Sequence, residues 1–67
     1  MNLAEARSRL VRLQAERMGA LEAGVHEPSP YMTRLSDAIA AARVAYTISA
    51  VVEIAELRRD LASPTAN

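Results

Sequence analysis

The chain has no cysteine, lysine, tryptophan or phenylalanine, and its 67 residues hold one histidine, two tyrosines and two glycines. Each shortage removes a class of answers. Without cysteine there is no disulfide framework and no thiolate chemistry. One histidine excludes a multi-histidine metal site within a single chain. With two tyrosines as the only aromatics, there is little on which bases can stack. Charge of one sign is also lacking: eight arginines balance eight acids to a net charge of zero, so no global field draws in nucleic acid or anionic lipid. An all-arginine basic set with abundant alanine reads as the coding bias of a GC-rich, bacterial genome. No basic stretch followed by an apolar run opens the chain, so a secretory leader is not expected and a cytoplasmic address is.

Glycine and proline are absent between residues 31 and 62, so nothing there breaks a helix. Residues 38–55 read AIAAARVAYTISAVVEIA, apolar almost all round a helix, with Arg43 and Glu53 the charges in the run. A surface helix of a small protein is apolar on one stripe and polar on the other. A helix apolar on every side has to be covered on every side. A chain of this length has one further helix to offer, and small cores without disulfides or metals are commonly completed by oligomerisation.

That further helix starts at Asn2-Leu3-Ala4-Glu5, a capping box with Asn2 as cap. Leu3, Ala6, Leu10, Leu13 and Leu21 then recur at helical spacing, and Val11, Met18 and Val25 broaden the stripe. Gly24 is the natural stop, because glycine takes the left-handed conformation freely. Ser29-Pro30 restarts the chain as cap and first helical position. Pro64 ends the second helix. The expected fold is all-α: an antiparallel hairpin with helices over about 3–24 and 30–62, one domain over 1–63, and a disordered tail at 64–67. At 1.5 Å per residue the helices are about 33 and 50 Å long, so the second overhangs the first. Tyr31 and Met32 are placed to close the corner on Leu21 and Val25.

At about 100° per residue the second helix separates into two apolar faces. The long face carries Leu35, Ile39, Ala42, Tyr46, Ala50, Ile54, Leu57 and Leu61, and the shorter one Ala41, Val44, Ala45, Ile48, Val51, Val52 and Ala55. Two faces call for two coverings, the first helix and a second copy of the chain. Which face takes which is left open by the pattern. Reflection about Ile48 matches Leu35 with Leu61, Ile39 with Leu57, Ala42 with Ile54, Tyr46 with Ala50 and Arg43 with Glu53. Such matching suits an isologous two-fold contact. The expectation is therefore a homodimer, a four-helix bundle, with the long face together with Arg43 and Glu53 as interface. A heptad traced from Leu35 fails midway at Ser49, Glu53 and Glu56, which argues against a long coiled coil on that face.

Sites for chemistry are sparse. Arg7, Arg9, Arg12 and Arg17 offer a candidate nucleic-acid face. Glu5 and Glu16 stand at ion-pairing distance in sequence from Arg9 and Arg12, and no aromatic shares the helix, so a solvated charged face is the simpler reading. Glu22, His26 and Glu27 lie close in sequence, yet a helix end with one histidine reads more simply as a cap than as a metal site. Ser36, Thr47 and Ser49 have no histidine placed to activate them. No catalytic residue, cofactor or metal is expected. Insertion of residues 38–55 into a bilayer would bury Arg43 and Glu53 at about 2.5–3.5 kcal/mol each, so a membrane partner is disfavoured. The sequence leads to a small non-enzymatic assembly module, an adaptor, regulatory or structural subunit, acting as a homo-oligomer. The alternatives are an RNA- or DNA-binding hairpin dimer and an obligate subunit of a hetero-complex.

Overall fold

The computed structural model describes residues 2–62, and these form two helices and no strand. α1 spans Leu3–Glu22 and α2 spans Pro30–Ala62. The expected tail at 64–67 lies outside the described residues.

The start of α1 is encoded locally. The Glu5 backbone N–H donates to Asn2 Oδ1 at 2.8 Å, and the Asn2 N–H donates to Glu5 Oε1 at 3.1 Å. Two of the N–H groups that a helix start leaves without partners are satisfied reciprocally. The end of α1 falls two residues before the expected position, at Glu22. Val25 N–H donates to the Ala20 carbonyl at 2.9 Å, and Gly24 N–H to that of Leu21 at 3.0 Å. This is the Schellman pattern, and it requires a left-handed residue just past the cap. Gly24 supplies it with φ of 92°.

A short turn follows, in which Ser29 N–H donates to the His26 carbonyl at 3.1 Å. Ser29 then caps α2: its Oγ accepts from the Met32 N–H at 3.2 Å, with Pro30 as first helical residue. The chain has reversed, and α2 runs back along α1.

Met32, Leu35 and Ile39 of α2 form the core, with Leu10, Leu13, Ala20 and Leu21 of α1 and Val25 of the corner packed against it. Ala6 and Ala42 are also buried, which their short side chains allow only where the helix backbones approach closely. Met32 closes the corner as expected and is fully buried. Tyr31 is left 39% exposed. It lies beside Leu13 and Leu35 on the flank of the hairpin and sends its hydroxyl to Glu16 Oε2 at 2.5 Å. Val11 and Met18, expected to widen the core stripe of α1, are exposed instead. At about 100° per residue they sit roughly 140° and 120° round α1 from the buried Ala6, beyond the reach of a single neighbouring helix.

Candidate interaction surface

α1 decides which face of α2 is covered. Its 20 residues are matched by 33 in α2. The amino end of α1 lies beside Ser49, Val52 and Glu53, where Asn2 and Leu3 share a shallow depression with them. Beyond that point α2 has no neighbour in the chain, and every residue of 51–62 is exposed.

The face taken by α1 is the upper part of the long one. Leu35, Ile39 and Ala42 are buried within the single chain, and Tyr46 and Ala50 are half-buried. The first three apolar positions of the long face thus already have an owner within the chain. Arg43 lines a groove with Gln14, Arg17 and Met18, whereas Glu53 lies with Asn2 and Leu3 near the opposite end of α1. Ile54, Leu57 and Leu61, the lower part of the long face, are left exposed, Leu61 at 86%.

The shorter face is largely uncovered, with the amino end of α1 at one edge, where Asn2 and Leu3 share a depression with Ile48 and Val52. Val44, Ile48, Val51 and Val52 are each more than half exposed, while Ala41 and Ala55 are exposed and Ala45 is half-buried. Ile48 stands nine residues after Ile39, about 180° round the helix from the core at roughly 100° per residue. The core contact at Ile39 and the centre of this surface therefore lie on opposite sides of α2, while the amino end of α1 borders the surface at Ile48 and Val52. By length and composition α2 would also suffice to cross a membrane.

The charged residues are arranged differently from the expected pattern. Among the described residues the ion pair is Arg17–Glu27, with Nη2 reaching Oε2 at 2.7 Å and Oε1 at 2.9 Å. It joins α1 to the turn across ten residues of sequence. Glu5 serves the capping box and Glu16 accepts from Tyr31, so neither makes the expected pair with Arg9 or Arg12. Arg7, Arg9 and Arg12 are exposed, Arg7 at the edge of a depression shared with Tyr46 and Glu53 of α2, and Arg17 is occupied by Glu27. Glu22, His26 and Glu27 do not converge: among the described residues no group of three metal-ligating side chains comes together. The Glu16 carboxylate, as hydrogen-bond acceptor first and as a neighbouring negative charge besides, pushes the Tyr31 hydroxyl above its ordinary value of 10.0.

The Arg17–Glu27 and Tyr31–Glu16 contacts were not legible in the sequence. Both join residues ten or more positions apart, and both depend on how the corner sets the two helices. No protein-family model, curated protein or solved structure matches this chain.

Proposed function

We propose that this chain is a small, non-enzymatic assembly module that works as a homo-oligomer, with a dimer as the basic unit. The observation that carries this reading is the aliphatic surface of α2. Seven large aliphatic residues, from Val44 to Leu61, are each at least 51% exposed on a helix that the chain itself covers on one side only. Moving such side chains out of water is worth about 1.5–3 kcal/mol for each one fully buried, so a contiguous set of them favours association. Patches of this kind on small soluble proteins mark interaction surfaces.

Two other readings are weaker on physical grounds. Spanning a bilayer with α2 would place Arg43 and Glu53 in hydrocarbon, at about 2.5–3.5 kcal/mol each near its centre. Binding nucleic acid through α1 would rely on Arg7, Arg9 and Arg12, with Arg17 held by Glu27 and no aromatic on that helix.

Sedimentation equilibrium at micromolar concentration without detergent tests the proposal. The expected result is a dimer with a measurable Kd. A folded monomer throughout the concentration range overturns it. So does a chain that is recovered only with membranes or only in complex with another protein.

A further inference from the structure

We infer that the second copy docks on the shorter face of α2, antiparallel, with the two-fold axis at Ile48. This rests on the self-association proposed above and names its surface, partner and direction.

The surface is symmetric about one residue. Counting outward from Ile48, Val44 is matched by Val52, Ala45 by Val51 and Ala41 by Ala55. An isologous contact needs this property, since each position meets the partner's copy of its mirror position. The match extends into charge. Asp37 stands eleven residues before Ile48 and Arg59 eleven after, and both are exposed. Eleven residues are close to three full turns, so both side chains return to the side of Ile48, about 16 Å from the centre on either hand. In the antiparallel arrangement Asp37 faces the partner's Arg59, and the same pair forms again at the other end. A parallel arrangement sets Asp37 against its own copy and Arg59 against its own, which is repulsive at both ends. Charge complementarity therefore selects a second copy as occupant and fixes its direction.

The face is also the right shape. Ala41, Ala45 and Ala55 flank the centre, and small residues let two helices approach to about 8 Å. Ala41, Val44, Ile48, Val51 and Ala55 alternate steps of three and four, the spacing of a short antiparallel seam. The long face lacks this spacing at its midpoint. Because the core residues Met32, Leu35 and Ile39 lie on the other side of α2, docking leaves the hairpin core intact, with Asn2 and Leu3 of α1 at the edge of the contact beside Ile48 and Val52. The result is a row of four helices with the two long ones inside. It is not a square bundle closed by the long face, and Ile54, Leu57 and Leu61 stay outside the contact.

The absence of cysteine gives a direct test. Single substitutions Ile48→Cys, Val44→Cys, Val52→Cys and Leu57→Cys are oxidised at micromolar concentration, and the products are resolved by non-reducing gel and mass spectrometry. The expected result is efficient self-linking of the Ile48→Cys chain and none of the Leu57→Cys chain. An equimolar mixture of Val44→Cys and Val52→Cys is expected to favour the mixed product over either self-linked one. A dimer in which Leu57→Cys links and Ile48→Cys does not overturns this face while the proposed self-association stands. Self-linked Val44→Cys in excess of the mixed product overturns the antiparallel direction. A folded monomer removes both proposals.

Association energetics give an independent readout. Ile48→Asp is expected to weaken the dimer by more than about a hundredfold, with helix content by circular dichroism retained at high concentration. Asp37→Arg and Arg59→Asp are each expected to weaken it by roughly fivefold, and the double exchange to restore it. Singles and double all equal to the parent overturn the charge match.

Discussion

Leu35 and Leu57 are the same residue on the same side of the same helix, yet one is 5% exposed and the other 56%. Their local sequences give no reason for the difference. Both continue an apolar stripe at helical spacing, and both sit among good helix formers. What separates them is the reach of a second element. The amino end of α1 lies beside Ser49 and Glu53, so Leu35 lies under α1 and Leu57 lies beyond it. Periodicity makes a surface fit to be covered, and chain length and turn geometry decide whether it is. The closed half of α2 belongs to the hairpin. The open half has no cover within the chain.

The sharpest way to break that comparison is to make one substitution at both places. Leu35→Ala removes core volume and is expected to cost about 2–5 kcal/mol, enough to unfold a hairpin with so few buried residues. Leu57→Ala is expected to change stability by no more than about 0.5 kcal/mol. Thermal or urea unfolding followed by circular dichroism reads both. Equal losses would mean that Leu57 is covered in solution and that the open half is not open.

A smaller effect is expected at the corner that aims α1 at the long face. Gly24 has φ of 92°, and a β-carbon added there meets nothing within 4 Å. The cost of Gly24→Ala is therefore backbone strain alone, about 1–2 kcal/mol. It is expected to lower the unfolding midpoint without disturbing the apolar contacts directly. An unchanged midpoint would mean that the corner does not hold the left-handed turn. At the other end of α1, Asn2→Ala removes the acceptor for the Glu5 N–H and is expected to cost about 1 kcal/mol. Hydrogen exchange should rise in the first turn of α1, where the boundary between covered and open α2 lies. Unchanged exchange there would separate the boundary from the cap.

These positions also divide what the sequence disclosed from what it withheld. Asn2, Glu5, Gly24, Ser29 and Pro30 act through bonds spanning a few residues, so their spelling is sufficient to place both helices. The choice of face is a different problem, because both sides of α2 are apolar and either could take α1. Met32 held the missing information. It lies three residues before Leu35 and seven before Ile39, extends the long face to the corner, and is fully buried there. Adding it makes the long face densest next to the turn, where α1 has to begin its descent. The spacing of Met32 fits the corner and the long face alike, and in the fold the residue serves both. Val11 and Met18 show the same limit on α1: they lie near the stripe, but the stripe is as wide as one partner helix can cover.

The smallest expected effect sharpens the comparison from within the closed half. Tyr31 donates to Glu16 Oε2, tying the start of α2 to the middle of α1 on an exposed flank. The carboxylate accepts from the neutral hydroxyl and repels the phenolate, so the folded value lies above the ordinary 10.0. A group raised on folding stabilises the fold fully below its unfolded value and loses that contribution as pH rises through the folded one. The tie is thus intact at neutral pH and released in alkali. In a Tyr46→Phe background one phenol remains to report by absorbance. There Glu16→Gln should bring the Tyr31 titration back toward 10.0, since it removes the negative charge and weakens the acceptor. The Tyr31→Phe chain should lose only slightly in thermal stability at neutral pH, because the contact is exposed. It should also lose the part of the alkaline destabilisation that the parent shows. A Tyr31 titration unchanged by Glu16→Gln would place the hydroxyl away from Glu16. The flank would then contribute nothing to the closed half, and its cohesion would rest on Met32, Leu35 and Ile39 alone.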